Sequence, residues 1–446
     1  MPNLFIDSHC HFFSAKHIPL TQSIQRIQNQ LFGSTAKKVA AGPVLTTLSP
    51  IFPFAGVIAD DLIDRVIPFI QFFDTDAVYS LDQTLTSIST IPDMDIDNRL
   101  KIFTPLVMDF EQCVSYKRLS EQVKDLKDNI TQLGSDYAHT NYLILPFMGI
   151  DFRRFDNVAA DAIASSIDSL IQENVGSALK QFTLDTLETA ENGDFIGIKL
   201  YPSLGSDLWP SENTAQWSEK RARNIEVVKA LSNLSVPVTT HCQEGSYKCG
   251  DPNKKDKVLV NYASPQKWLS LLKASEVIDI RLNLAHFGGE DGVGDMFMWW
   301  DNMEETTPYD HTGVRVEASW TYWIIKILKT YPNAYSDLGA FNFDDQRGAA
   351  SLLWLLHLDN LDQLGIEGPY KLMDKLLWGT DIPMTLVDYQ NYAQQYDAFM
   401  SNTNLTRMRT DLEFEYDLPP ADSVVSDHNN LVETLVNKNP SKFLFE

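Results

Sequence analysis

The chain has 446 residues, of which 44% are hydrophobic and 22% are charged, a balance typical of a folded globular protein rather than a disordered one. Acidic residues outnumber basic ones and give a formal net charge of −24, which argues against a nucleic-acid partner and against an anionic membrane surface. No apolar run is long enough to span a bilayer, and we expect a cytoplasmic protein.

Eight short apolar segments recur along the chain, and most of them end in a polar or glycine-containing corner. They are LFIDSHCHF (4–12), KIFTPLVMDF (101–110), YLILPFMGID (142–151), FIGIKLYP (195–202), VPVTTHC (236–242), IRLNLAHF (280–287), AYSDLGAF (334–341) and KLLWGTDIP (375–383). Short and nearly continuous apolar runs bounded by turn signals are typical of strands buried on both faces, as in parallel sheets.

Helical patterns lie between the predicted strands. Segment 116–134 places apolar residues at alternating steps of four and three, and Gly134 is expected to end that helix. In segment 264–273, Ser264 stands at the N-cap position and Pro265 at the first helical position. Strand and helix alternating eight times predict an α/β fold, a (β/α)8 TIM barrel of parallel strands with the helices outside.

The spacing of the strands predicts one barrel domain over 1–446 with two enlarged connections. Residues 14–100, between the first two strands, are expected to form a large helical insertion after strand 1, with 59–73 as one of its helices. Residues 288–333 are expected to form a second long loop. Both connections follow strand ends, where the loops of such a barrel form the rim of the active site.

Titratable side chains stand at the carboxyl ends of several predicted strands. They are His9 and His11 on the first strand, Lys199 on the fourth, His241 on the fifth, His286 on the sixth and Asp381 on the eighth. Because the carboxyl ends of barrel strands converge, and because side chains two apart on a strand share a face, these groups are expected to meet. Imidazole nitrogens and a carboxylate suit zinc and related metals, so the pattern predicts a shared metal or catalytic site. The alternative is a set of buried histidines bonded to the backbone, with Asp381 capping the following turn.

Six motifs, in chain order, resemble landmarks of the amidohydrolase superfamily. They are DSHCH, GIDFRRF, GIKLYPSLG, THCQEG, LAHFGG and LLWGTDIPM. They are most similar to its amidohydrolase-2 branch, which includes aminocarboxymuconate-semialdehyde decarboxylase and related decarboxylases and hydrolases. The terminal segment LVNKNPSKFL (435–444) also resembles the closing helix of that branch. The order and spacing of the motifs carry the resemblance, which covers strands one and three to eight.

The resemblance implies one divalent metal, most often Zn2+. Its ligands would be His9, His11, His241 and Asp381. Asp381 would ligate the metal, take a proton from its water, or do both. His286 would stand beside the open position, where it would polarise the substrate or shuttle a proton.

Lys199 has more than one interpretation. In members with two metals, a lysine on strand four is carboxylated and bridges both ions, and His241 and His286 then hold the second ion. Alternatively, Lys199 is a cation for a substrate carboxylate, or a partner for Asp7. We favour one metal, because amidohydrolase-2 members usually use one.

Three further residues are candidates for binding the substrate. Arg153 and Arg154 lie just past the third strand, and one of them could clamp a carboxylate with two hydrogen bonds. Equally, both could be surface arginines paired with Asp151 or Asp156. Tyr201 shares a face with Lys199 and is expected either to line the pocket or to pack in the core.

These implications favour a metal-dependent hydrolase, in which a metal-activated water attacks an ester, lactone or amide of a small substrate that carries a carboxylate. The alternative is a metal-dependent, non-oxidative decarboxylase of an aromatic or muconate-like acid. A third hypothesis, a non-catalytic barrel, would be signalled by a missing ligand residue, and none is missing. The expected partner is a small-molecule substrate rather than a nucleic acid or a membrane, and the pairing of relatives suggests a homodimer.

Overall fold

A computed structural model of the chain describes residues 3–12, 77–91, 98–114, 118–137, 139–211, 214–244, 256–301, 319–344, 346–401 and 428–446. Its strands are β1 (Leu4–Cys10), β2 (Leu100–Pro105), β3 (Tyr142–Ile144), β4 (Phe147–Ile150), β5 (Gly197–Leu200), β6 (Val238–His241), β7 (Leu282–Ala285), β8 (Ala334–Asp337) and β9 (Leu376–Leu377). Its α-helices are α1 (Ala77–Ile88), α2 (Glu111–Val114), α3 (Leu119–Asp136), α4 (Ile163–Val175), α5 (Ala215–Asn233), α6 (Asp256–Asn261), α7 (Pro265–Ser275), α8 (Gly289–Asp301), α9 (Trp320–Thr330), α10 (Gln346–Asn360), α11 (Tyr392–Met400), α12 (His428–Glu433) and α13 (Asn439–Phe445).

The strands form a closed parallel barrel. Two sheets follow the chain order, β1-β2-β3 and β4-β5-β6-β7-β8-β9, and every paired strand in them runs parallel to its neighbour. The sheets meet where the amide of Val107 donates to the carbonyl oxygen of Phe147 at 3.0 Å. The first strand meets the last where the amide of Ser8 donates to the carbonyl oxygen of Trp378 at 3.0 Å. The predicted (β/α)8 TIM barrel is therefore confirmed.

Each of the eight predicted strand segments contains an observed strand. The segment 142–151 contains two, because Leu145 and Pro146 separate β3 from β4 and proline has no amide to donate to a neighbouring strand. Together β3 and β4 occupy one of the eight barrel positions. Every residue of β4, β5, β6, β7 and β8 is buried, as expected for strands covered on both faces.

Helices α3 and α7 correspond to the helices that the sequence predicted over 116–134 and 264–273. The buried face of α3 includes all the apolar residues that gave the pattern, which are Leu119, Val123, Leu126, Ile130 and Leu133. Gly134 does not end this helix, which continues to Asp136, because Gly134 lacks the left-handed conformation that makes glycine a stop. Helix α7 begins at Pro265 with Ser264 at the N-cap position, as predicted, although the Ser264 side chain makes no capping hydrogen bond.

The helices pack side by side around the outside of the barrel. In succession α1 contacts α3, α3 contacts α4, α4 contacts α5, α5 contacts α7 and α7 contacts α9. Of the predicted insertion 14–100, the structure describes α1, whereas the predicted helix 59–73 lies outside the described residues. Residues 302–318 of the predicted long loop also lie outside them. Among the described residues, no helix combines the length and the apolar composition needed to cross a membrane.

The amino end of the barrel is filled with apolar side chains from the chain's last helix. Phe443 of α13 packs against Phe147 of β4 and Tyr335 of β8, with ring centroids 6.5 and 5.6 Å apart. Leu4 and Leu377 belong to the same buried cluster. The polar residues of the barrel interior therefore lie toward the carboxyl ends of the strands.

Candidate active site

Among the described residues, seven titratable side chains at the carboxyl end of the barrel make up the candidate site. They are His9 in β1, His11 just after it, Lys199 in β5, His241 at the end of β6, His286 after β7, Asp337 at the end of β8 and Asp381 after β9. Each of these residues is 6% exposed or less. Buried polar groups need partners, so the contacts among these side chains decide what the site can do.

His9, His11 and Asp381 converge on one point. The Nε2 atoms of His9 and His11 lie 3.3 and 3.2 Å from Oδ1 of Asp381. Bonds of roughly 2.0–2.1 Å to a tetrahedral zinc ion place ligand atoms about 3.3 Å apart, so this spacing fits a bound metal. Nε2 of His9 is also buried without a hydrogen bond to any described residue. These residues form a group that could hold a divalent ion.

A β-bulge in β1 helps to aim the two imidazoles. The register of β1 against β2 shifts between Asp7 and Cys10, and bulges commonly redirect side chains beside active sites. Nδ1 of His11 donates to the carbonyl oxygen of Leu106 at 2.8 Å. Because a carbonyl only accepts, neutral His11 carries its proton on Nδ1 and its lone pair on Nε2, toward Asp381. His9 in β1 and His11 just after it thus both face Asp381.

His241 and His286 form a second pair beside this group. Nε2 of His286 lies 3.0 Å from Nδ1 of His241, and Nδ1 of His286 donates to the carbonyl oxygen of Gly339 at 2.9 Å. The ring of His286 also lies 4.7 Å from that of His9. His286 therefore stands between His9 and His241. The structure does not bring the predicted ligand His241 into the group formed by His9, His11 and Asp381.

Two of the site residues have left-handed backbone. His286 has φ of 75° and Asp381 has φ of 56°, values that are uncommon for residues other than glycine. The amide of His286 donates to Asp337 at 3.0 Å, and the amide of Asp381 donates to the carbonyl oxygen of His9 at 2.7 Å. Such conformations persist where the surroundings hold them in place, and they concentrate at functional sites.

Lys199 is a buried cation that has no hydrogen-bonding partner among the described residues. The residue is 1% exposed, and its Nζ makes no hydrogen bond to any described residue. It does not pair with Asp7, whose carboxylate instead accepts from Thr380 and from the amide of His9. Nζ lies 5.7 Å from the ring centroid of Tyr201, and that ring stacks on His241 at 4.4 Å. Tyr201 therefore contacts the site residue His241.

The two arginines after the third barrel position are both paired within the chain. Arg153 donates from Nε and Nη2 to Asp151, an arrangement that matches one of the predicted alternatives. Arg154 pairs with neither Asp151 nor Asp156. Its guanidinium instead donates to both oxygens of Asp109 and to Glu111. A substrate carboxylate would therefore compete with carboxylates of the protein for either arginine.

Asp337 is a buried carboxylate that the sequence analysis missed. It accepts hydrogen bonds from Nδ1 of His9 at 2.8 Å and from Nδ2 of Asn283 at 2.6 Å, together with two backbone amides. In AYSDLGAF the aspartate stands inside the predicted segment 334–341, and the observed strand β8 ends at it just as β6 ends at His241. An acidic residue at a strand end is also a common cap for the following turn, so the position alone does not reveal its partner.

Burial and neighbouring charges divide these groups into ionised and neutral sets. Burial alone would raise the pKa of Asp381, but the charge that His9 carries when protonated and the close imidazoles of His11 and His9 hold that pKa well below its usual range. The charge and hydrogen bond of His9 likewise keep the pKa of buried Asp337 low. Burial lowers the pKa of His286 to about 4 and that of Lys199 to about 8. At neutral pH the two carboxylates are ionised and the imidazole of His286 is neutral.

The contribution of His286 to the stability of the metal-free protein is expected to fall as the pH drops from 6.5 to 4, whereas Asp7, whose pKa burial raises to about 6, contributes in the opposite direction below pH 6. In this window the unfolded chain protonates His286 at its ordinary pKa of 6.5, whereas the folded chain resists until about pH 4. The difference corresponds to a loss of about 3 kcal/mol in the free energy of unfolding. Urea unfolding of chelator-treated protein at several pH values measures it. The difference in the free energy of unfolding between wild-type protein and His286→Gln should change by this amount across the window, and a difference that does not depend on pH would contradict this assignment.

Comparisons with known proteins give a distant structural likeness. No family model matches the chain, and no curated protein matches it. A solved structure of the Metarhizium anisopliae IDCase in apo form is similar at 14% identity, over 99% of this chain and 96% of that chain, with a TM-score of 0.40. An L-ribulose 3-epimerase is similar at 13% identity, over 76% of this chain and 92% of that chain, with a TM-score of 0.32. Neither likeness is close enough to assign an activity, which must come from the residues of the site.

Proposed function

We propose that this protein is a metal-dependent hydrolase of the amidohydrolase superfamily, nearest to its amidohydrolase-2 branch. The observation that carries the proposal is the convergence of His9 and His11 on one carboxylate oxygen of Asp381, at 3.3 and 3.2 Å. These residues would hold one divalent ion, with Zn2+ the best match to two imidazoles and a carboxylate. His241 remains a predicted further ligand, because it lies beyond His286 in the structure.

The residues around the ion site supply a base and a route for protons. A divalent ion held there would polarise a carbonyl group and activate water. Asp381 is ionised at neutral pH, so its carboxylate can take a proton from that water. Because Nδ1 of His286 is committed to Gly339, its Nε2 is the atom that exchanges a proton, and Nδ1 of His241 is 3.0 Å away. Protons can therefore be relayed along this histidine pair.

The charges at the site support a small substrate that carries a carboxylate. Lys199 is buried, and its Nζ makes no hydrogen bond to any described residue. Arg153 and Arg154 are each paired with carboxylates of the chain. A carboxylate on the substrate would complete the hydrogen bonding of Lys199 without displacing an existing partner.

The proposal is tested by metal analysis followed by a substrate panel. Protein purified without added ions is expected to contain one equivalent of zinc by elemental analysis. It should hydrolyse members of a panel of carboxylate-bearing lactones, esters and amides, lose that activity to a chelator, and regain it with Zn2+. Aromatic acids are assayed in parallel for release of carbon dioxide. Carbon dioxide without hydrolysis would instead identify a decarboxylase, and no turnover of either class would contradict both.

Single replacements check the ligand set independently of the substrate. His11→Ala is expected to remove the bound zinc, and His241→Ala tests the further ligand in the same way. His139→Ala is the matched control, because its imidazole pairs with Asp82 at 2.7 Å before the start of β3 and should leave the zinc content unchanged. Loss of zinc from the control as well would show that the loss is not specific to the ligands.

A further inference from the structure

We propose that Asp337 is a positioning residue that fixes the tautomer of His9, so that Nε2 presents its lone pair to the metal, and that the same carboxylate anchors His286. This inference rests on the proposed metal site and adds a residue on which that site depends. Asp337 is 0% exposed and stands at the end of β8, between the strands that carry the two histidines.

Each oxygen of Asp337 accepts two hydrogen bonds. Oδ2 accepts from Nδ1 of His9 at 2.8 Å and from Nδ2 of Asn283 at 2.6 Å. Oδ1 accepts from the amide of His286 at 3.0 Å and from that of Gly339 at 2.9 Å. Asn283 and two backbone amides already donate to this carboxylate, so Asp337 is the acceptor and Nδ1 of His9 the donor in their contact.

The tautomer of His9 follows from that contact. A neutral imidazole has one proton, and with the proton on Nδ1 the lone pair belongs to Nε2. Nε2 is the atom that lies 3.3 Å from Oδ1 of Asp381, and it has no hydrogen bond to any described residue. A carboxylate behind a ligating histidine orients the ring and makes its nitrogen a stronger ligand.

The second oxygen of Asp337 fixes the turn that carries His286. The amide that donates to it belongs to His286 itself, whose φ is 75°. The other donor is the amide of Gly339, and the carbonyl oxygen of Gly339 accepts from Nδ1 of His286 at 2.9 Å. One carboxylate therefore sets the positions of imidazoles on β1 and after β7.

The same contacts argue against Asp337 as a metal ligand. Both of its oxygens already accept two hydrogen bonds, and the atom of His9 that faces it is the protonated Nδ1. His9, His286 and Asp337 also lie close enough together to hold an ion, but Asp337 would have to give up existing hydrogen bonds to bind it.

Asp337→Asn tests the role, because it replaces an acceptor oxygen by an amino group that can only donate. If the amino group of the asparagine faces His9, it would donate to Nδ1 and move the ring proton to Nε2, where the proton would block metal binding. Facing the backbone, the amino group would repel the amides of His286 and Gly339. The affinity for Zn2+, measured by competition with a chromophoric chelator, is expected to fall about 10- to 100-fold. Wild-type affinity in this variant would overturn the inference.

Asp7→Asn is the matched control. Asp7 is also a buried carboxylate and accepts from the amide of His9 at 3.0 Å, but it does not touch the imidazole. Its zinc affinity is expected to stay within a few-fold of the wild-type value, because its oxygens accept from the amide of His9 and from Thr380 rather than from a ring nitrogen. An equal loss in both variants would mean that any buried acid near β1 has this effect, and would overturn a specific role for Asp337.

A second measurement needs no metal and examines the wild-type protein itself. Long-range 1H–15N spectra of chelator-treated wild-type protein with [15N]histidine, at alkaline pH, report which ring nitrogen carries the proton. The signal of His9 is identified by its loss in His9→Gln. A proton on Nδ1 is expected, and a proton on Nε2 would overturn the inference. If the wild-type protein binds no zinc, the proposed function fails, whereas this spectrum still decides the role of Asp337.

Discussion

Asp381→Asn is expected to abolish the proposed binding of zinc while the barrel stays folded. Oδ1 of Asp381 is the point on which His9 and His11 converge, at 3.3 and 3.2 Å. An amide is a neutral and weaker ligand than a carboxylate, so the affinity for zinc should fall more than about 100-fold, beyond the loss typical of residues that only support a ligand. Zinc content after dialysis and chelator competition measure the change.

Asparagine is the informative replacement because of the backbone at this position. Asp381 has φ of 56°, and asparagine tolerates the left-handed conformation better than most residues. Alanine would add backbone strain and so mix a folding defect with the loss of a ligand. An unchanged far-ultraviolet circular dichroism spectrum together with lost zinc is therefore the expected pair of results. Zinc retained at the wild-type affinity would contradict the assignment of Asp381 as a ligand.

Asp359→Asn separates metal binding from stability. Asp359 lies in α10, is 1% exposed, pairs with Lys329 and accepts from the amide of Leu372 at 2.6 Å. Removing one partner of a buried ion pair costs about 3–5 kcal/mol, so this variant should unfold at lower urea concentration. Its zinc affinity should nevertheless match that of the wild-type protein, because Asp359 is not one of the site residues at the carboxyl end of the barrel.

The sequence could predict the barrel and much of its site because both depend on local rules. Buried parallel strands are nearly continuous in apolar residues, and each of the eight predicted segments contains one. Alternation along β1 places His9 and His11 on one face, and a strand end places Asp381 beside them. These inferences depend only on where the strands lie in the sequence. They do not depend on which side chains form hydrogen bonds across the barrel.

The features that the sequence did not predict depend on contacts between side chains that are far apart in the chain. Arg154 binds Asp109, 45 positions earlier in the chain, rather than the acids next to it. Asp337 binds His9 across the closure of the barrel, 328 positions away. The order in which His286 stands between His9 and His241 is a matter of ring orientation, which strand periodicity does not specify. Strand periodicity predicts which strand ends lie close together, but it does not predict which of their side-chain atoms are in contact.

Lys199→Met is expected to make the folded protein more stable and, at the same time, a poorer enzyme. Burial lowers the pKa of Lys199 from 10.5 to about 8, so at pH 7 the amine is charged in both the folded and the unfolded chain. Folding must then bury that charge, at a cost of up to about 3 kcal/mol. Methionine has a similar length and no charge, so urea unfolding at pH 7 should show a gain approaching this value. The gain should shrink as the pH rises from 8 to 10.5.

Lys329→Met is the matched control for the stability result. Lys329 is 3% exposed, much like Lys199, but it pairs with Asp359. Its removal leaves a buried carboxylate without its partner and should lower the free energy of unfolding by about 3–5 kcal/mol. The two lysine-to-methionine changes are therefore expected to have opposite signs. A loss of stability in Lys199→Met would mean that its amine has a partner in the folded protein.

The activity of Lys199→Met tests why the chain buries an amine that makes no hydrogen bond to any described residue. If Nζ binds the substrate carboxylate, kcat/KM for a carboxylate-bearing substrate should fall by about 100-fold, whereas that for its neutral methyl ester should change little. Equal losses for both would contradict a role in charge recognition. Zinc content separates the remaining alternative, because a carboxylated Lys199 that bridges two ions would take metal away with it. A buried charge that destabilises the fold is retained where function uses it. If Lys199→Met is more stable and also loses its preference for the carboxylate over the methyl ester, Lys199 is a substrate-binding residue.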